Sequence, residues 1–286
     1  MTRRQTVSIA LLAMTMKACA APSAPGTASP SSIAYATGPN DLVLQWGYEG
    51  GFTPPEFQLT NLPSFSLYGD GTVVRPGPQI EIYPGPALPA LESFAVEPAG
   101  VEAIVQAAFD AGLDTVDDLT DLGSVGIADA ADTVFTLRAG GVDRTVRIYA
   151  LSELGGRPPG MDLDEYRARE ALIALVDRLN SLEDWLPEGS VGPAIAHETH
   201  GSRVYVSEYR DEADLPQRPV PWPLAAPLAG AGSDAGTGFR CLAVTGDDWS
   251  QLEPLAQAAN QLTPWVDGGE RYALAFRPLL PDETGC

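Results

Sequence analysis

Phe65-Ser-Leu-Tyr-Gly-Asp-Gly-Thr-Val-Val74 is the stretch from which the fold is read. Two β-prone runs flank Asp70-Gly71, and an Asp-Gly pair suits a type I′ turn, which needs positive φ at both central residues. A two-residue hairpin closed there sets Leu67 opposite Val74 and Tyr68 opposite Val73. The segment before it also alternates: Leu42, Leu44 and Trp46 share one face, with Val43, Gln45 and Gly47 on the other. A second hairpin is expected over Thr133–Tyr149. A four-residue loop, Gly140–Asp143, pairs Leu137 with Val146 and Phe135 with Ile148, apolar against apolar. A two-residue Gly-Gly loop would set Leu137 against Arg144, so the longer loop is the expectation. Proline-rich residues 76–90 form a connector with one short strand candidate, Gln79–Tyr83.

Helical periodicity appears between and after these strands. Pro98 suits a first turn, Val101, Ile104, Val105 and Ala108 share a face, and Gly112 can supply a left-handed stop. A longer helix is predicted over Leu163–Leu182. Asp162 and Glu165 open it as a capping box, and Leu172, Leu175, Val176, Leu179 and Leu182 form its apolar stripe. Glu165 and Arg169 are read as an i,i+4 pair on the wet side. Further strands are expected at Ser202–Tyr209, Phe239–Val244 and Arg271–Phe276, and a helical stretch at Asp247–Leu262, bent or restarted at Pro254. Residues 216–238 read as an irregular excursion. Hairpin-linked strands followed by single helices point to an α+β fold, antiparallel sheets with helices packed on one face, loop-rich. The division expected is 39–187 for one α+β domain and 188–286 for a smaller one.

The amino terminus reads as an address. Arg3 and Arg4 precede an apolar stretch, Val7–Met16, too short for the roughly 20 residues of a membrane span but normal for a signal peptide. Met16-Lys17-Ala18-Cys19 resembles a bacterial lipobox, with Met16 where leucine is usual and Lys17 where a small residue is usual. Ala18-Cys19-Ala20 also satisfies the rule for ordinary signal peptidase. Lipidation of Cys19 is the favoured reading, which makes residues 1–18 a signal peptide and the membrane a partner through the anchor. Thr6 stands where a twin-arginine signal carries a hydrophobic residue, which weakens that route. Residues 19–38, rich in Ala, Pro, Ser and Gly, read as a flexible tether.

Charge narrows the partners. The chain carries a formal charge of −21, and removal of Arg3, Arg4 and Lys17 with the signal lowers it to −24. Such a surface repels phosphate backbones and anionic headgroups, so nucleic acid is excluded as a partner. Lys17 is the sole lysine. A processed chain therefore has no Walker lysine and no Schiff-base lysine. No Gly-x-Ser-x-Gly occurs, and the Gly230–Gly238 stretch fits no dinucleotide fingerprint.

The two histidines stand together as His197-Glu-Thr-His200. A zincin places its histidines at i and i+4 on one helical face; here the spacing is i and i+3, in a segment leading into a strand. They are weak metal candidates, with Glu198 or Glu208 as possible helpers, and the favoured reading is a solvated loop without metal. Asp114, Asp117, Asp118, Asp121, Asp129 and Asp132 lack the spacing of a calcium loop. No cofactor is expected.

With Cys19 lipidated or removed, Cys241 and Cys286 remain, and an oxidising compartment favours joining them. Cys241 is placed in a strand pointing into the carboxyl-terminal core. The Leu67–Val74 hairpin, the Thr133–Tyr149 strand pair and the closing Arg277–Cys286 segment together resemble uncharacterised exported proteins and putative lipoproteins of high-G+C bacteria, a domain of unknown function with a YGDGTV hairpin. The resemblance implies a location outside the cytoplasm and carries no catalytic residues. The functional expectation is an extracytoplasmic, lipid-anchored or secreted envelope protein with a non-enzymatic binding or structural role. Its protein or small-molecule partner is left open. The alternative is a secreted hydrolase using carboxylates, with or without His197 and His200.

Overall fold

The computed structural model describes residues 33–286 apart from 121 and 213. The expected export signal, Cys19 and most of the expected tether lie outside the described residues. The fold is α+β, built on two sheets. In chain order the first elements are β1 (Leu42–Gly50), α1 (Pro55–Thr60), β2 (Phe65–Tyr68), β3 (Thr72–Pro76), β4 (Leu91–Ala95), α2 (Pro98–Asp110), β5 (Ala131–Ala139), β6 (Val142–Tyr149) and α3 (Leu163–Asn180). They are followed by β7 (Ile195–Ala196), β8 (Gly201–Glu208), β9 (Val220–Pro221), β10 (Ser233–Gly236), β11 (Phe239–Thr245), α4 (Gly246–Ala258), β12 (Trp265–Asp267) and β13 (Glu270–Pro278).

The first sheet is antiparallel, in the order β6-β5-β1-β2-β3-β4-β7; the second runs β10-β11-β8-β13-β12-β9, parallel only between β12 and β9. The expected division at 187/188 falls between the sheets except for β7, which joins the first by pairing with β4. Leu44, Trp46, Leu67, Phe135 and Ile148 bury one face of the first sheet against α2 and α3. Val204, Val244, Trp265 and Phe276 do the same for the second sheet against Trp249 and Leu252 of α4. Among the described residues no helix is long and apolar enough to cross a membrane.

Both hairpins close differently from the sequence reading. At the first, Leu67 pairs with Val73 and Ser66 with Val74, one residue away from the expected register. Asp70 does not take positive φ, so a type I′ turn is not formed; Gly71 alone does, at 88°. The loop is therefore Gly69–Gly71, with Gly71 N–H donating to Tyr68 O at 3.0 Å and Thr72 N–H to Asp70 Oδ1 at 2.9 Å. Gly71 is also sterically required, because a Cβ there would lie 2.3 Å from Val96 O.

At the second hairpin the rejected two-residue loop is the one formed. Gly140 and Gly141 adopt φ of 63° and 79°, which completes a type I′ geometry, and Leu137 stands opposite Arg144. The mismatch costs little because Arg144 reaches past Leu137 to the backbone oxygens of Asp114 and Val116, at 2.7 and 2.6 Å, and to Asp117.

Four smaller expectations are corrected. A register shift between Leu42 and Leu44 sends Leu42 to the face opposite Leu44 and Trp46, where it packs with Tyr68 and Leu280. Gln79–Tyr83 forms no strand and exposes Ile80, Ile82 and Tyr83; the strand of this region is β4. Arg169 is not on the wet side. It is 1% exposed and donates to Tyr149 O and Leu119 O while pairing with Glu165, whose carboxylate is thereby drawn away from the cap. The cap itself forms through Asp162, which accepts from the N–H groups of Asp164 and Glu165. Finally, Cys241 points away from the α4 core and packs with Tyr205 and Ala275.

Candidate functional site

The sheet faces turned away from the helices line a groove of about 620 Å³, closed on one side by α1. Strand alternation dictates what each sheet contributes. On the first sheet a polar row crosses four strands as Ser66, Gln45, Thr136 and Thr145, each paired with the next. Gln45 Nε2 donates to Ser66 Oγ at 3.0 Å, and the Thr136 and Thr145 hydroxyls lie 3.1 Å apart. Beside that row, Arg147 Nη2 donates to Glu49 Oε2 at 2.9 Å, with both side chains well exposed at 43% and 57%. Phe57 of α1 stands at the groove exposed, whereas Tyr48 turns to the other face of β1, edge-on to Trp46.

The second sheet contributes Tyr205, Arg203 and Arg277. Arg203 and Arg277 face one another directly across β8 and β13, and like charges so placed destabilise a sheet. Glu283 resolves the conflict. Its Oε2 accepts from Arg277 Nη1 at 2.6 Å and from Leu280 N–H at 3.0 Å, and its Oε1 accepts from Arg203 Nη1 at 3.3 Å. Burial pushes the Glu283 carboxyl up, but the hydrogen bond and charge of Arg277, with Leu280 N–H and Arg203, outweigh it and hold the group below the usual carboxylate range.

Residues 279–286 thus work as a clasp between the sheets. Leu280 packs with Leu42, Tyr68, Val74 and Leu91 of the first sheet, and Tyr68 Oη donates to Asp282 Oδ1 at 2.9 Å. Burial, then the Asp282 charge, raise the Tyr68 hydroxyl far above its ordinary pKa, so it stays a donor. On the other side, Arg203 Nε donates to Gly285 O at 2.7 Å, and Cys286 is bonded to Cys241 with Cα atoms 5.9 Å apart. Asn61, which caps α1, is a second bridge: its side-chain amide donates to Tyr48 O and its carbonyl accepts from Arg277 Nε at 3.0 Å.

His197 and His200 line a separate cavity of about 400 Å³ that also contains Asp70, Glu198 and Glu283 but not Glu208. Burial first, then the charge of His200, lowers the His197 pKa against the opposing effect of Glu198. That favours a neutral ring at neutral pH. Among the described residues no three His, Cys, Asp or Glu side chains converge closely enough to hold a metal ion. The acidic stretch has another use, covering the free edge of β6: Asp118 Oδ1 accepts from Arg147 N–H, and Leu119 bonds to Arg147 O and Tyr149 N–H.

Sequence reasoning named none of the groove residues as a site. Their signal was polar alternation, Gln45 between Leu44 and Trp46 and Thr136 between Phe135 and Leu137, which marks a second face without saying what covers it. The chain matches no protein-family model, no curated protein and no solved structure.

Proposed function

We propose that this is an extracytoplasmic envelope protein, anchored through a lipid on Cys19, whose inter-sheet groove binds a ligand without turning it over. The observation that carries the binding reading is the state of the groove's charged groups. Both its carboxylates, Glu49 and Glu283, already have guanidinium partners, and Glu283 is held in its ionised form. A carboxylate stabilised in that way is a poor proton acceptor, since general bases work best with a pKa near the operating pH. Among the described residues the groove lining also contains no His, Cys, Lys or Ser to act as a nucleophile–base pair. What remains is hydrogen-bonding and stacking surface suited to recognition.

The hydrolase alternative would use the other cavity, where His197 and His200 lie beside Asp70 and Glu283. A panel of glycoside, ester and peptide substrates assayed across pH separates the readings. The binding reading expects no turnover above background. Turnover abolished by His197→Ala with folding intact would move the function to the histidine cavity. Palmitate labelling of the native envelope protein, lost in Cys19→Ser, tests the anchor.

A further inference from the structure

Resting on the reading of the groove as a binding site, we propose that its ligand is an oligosaccharide bearing carboxylates, a uronate-type chain. The groove concentrates three guanidiniums against two carboxylates, in a chain whose net charge is −21. These arginines are not equivalent. Arg203 and Arg277 are fixed through Nε and Nη1, and among the described residues Nη2 of neither donates to a protein acceptor. Their spacing already accommodates one carboxylate, that of Glu283. Arg147 differs: among the described residues its one ion pair is with Glu49, and both groups are exposed. Exposed pairs of this kind are weak, so an incoming carboxylate can take the place of Glu49 at little cost and gain a charge-assisted, bidentate contact.

The rest of the groove suits a polyhydroxylated chain better than a peptide. An extended peptide binds by adding to a sheet edge, and this groove presents sheet faces. Those faces offer the hydroxyl and amide row of Gln45, Thr136 and Thr145 at the strand spacing of about 4.8 Å. Phe57 of α1, 54% exposed, supplies flat apolar surface of the sort that marks ligand grooves. The volume lies within the usual range for small-ligand sites, about 300–1,000 Å³.

The test titrates the intact, disulfide-bonded protein with tetragalacturonate and with its uncharged methyl ester, followed by NMR. Affinity for the acid should exceed that for the ester by about tenfold or more, the scale of one charge-assisted contact. Arg147→Gln should abolish that preference while keeping ester binding, which also reports an intact groove. Phe57→Ala should weaken both ligands alike. Equal affinity for acid and ester, no binding of either, or a preference that survives Arg147→Gln would each overturn the proposal. Chromatography of the titrated samples keeps the two readings apart. Cleavage of a preferentially bound acid would refute binding without turnover while supporting the ligand class; an intact, unbound oligomer would refute the ligand class alone.

Discussion

The two sheets solve the same problem with different means. The first buries a broad apolar face, Leu44, Phe65, Leu67, Phe135, Leu137 and Ile148, beneath two helices. The second has one helix above it, and on its other face sit two arginines directly opposed, with a cysteine beside them. Where apolar area is abundant, packing suffices to hold strands together. Where it is scarce, the chain adds a covalent bond from Cys241 to Cys286 and a carboxylate, Glu283, between the facing guanidiniums. The lesson is that the groove is bounded by one wall held by packing and one held by ties.

The comparison is broken most severely at Phe135, which is fully buried in the first sheet. Phe135→Ala should cost about 3–5 kcal/mol, read from the shift in denaturant midpoint. A loss below about 1 kcal/mol would show that packing does not hold this wall. Next comes Cys241→Ala with Cys286→Ala, for which the chain-entropy model gives roughly 4 kcal/mol as an upper figure and 2–4 kcal/mol as the working range. Hydrogen exchange should then quicken in β8, β11 and residues 279–286 and stay unchanged in β1 and β5. Equal acceleration in both sheets would erase the distinction.

The smallest effect sharpens the contrast within the second wall. Glu283→Gln should cost about 1–3 kcal/mol, because it leaves Arg203 and Arg277 facing without a full counter-charge. The pH dependence follows from the lowered pKa of Glu283. A carboxyl whose folded pKa is depressed contributes stability above its unfolded value near 4.3, and that stability is lost as pH falls through the folded value. The gap between wild type and Glu283→Gln should therefore be widest near neutrality and narrow below about pH 4. A gap that grows on acidification would assign the effect to something other than this ion pair.

Much of the fold was legible in periodicity. The α2 helix matched Pro98, its apolar face and Gly112, and α3 matched Asp162 and the Leu172, Leu175, Leu179 stripe, because those signals are local. The hairpin registers were not legible, for two different reasons. At Asp70-Gly71 the alternatives differ by one residue, and the choice rests on Gly71 meeting the distant Val96. At Gly140-Gly141 they differ by two, so every side chain keeps its face, and the choice rests on Arg144 finding backbone acceptors in residues 114–116. Cys241 and Cys286 were readable as a pair, whereas the direction of Cys241 was not. The groove was the least legible feature. Its residues come from β1, α1, β5, β6, β8, β13 and the last residues of the chain, and no local pattern announces that two polar faces meet.

The strand order has a mechanical consequence. From Ile33 the chain first touches the first sheet at the end of β5, where Tyr35 bridges Ala139 and Ala34 O accepts from Gly140 N–H. It then runs into β1, an interior strand hydrogen-bonded to β5 on one side and β2 on the other. Tension applied through Ile33 therefore reaches the sheet at its middle and cannot peel an edge strand away. Extracting β1 requires both ladders to fail together, so resistance to pulling is governed by the barrier to that joint rupture and not by the equilibrium stability of the whole molecule.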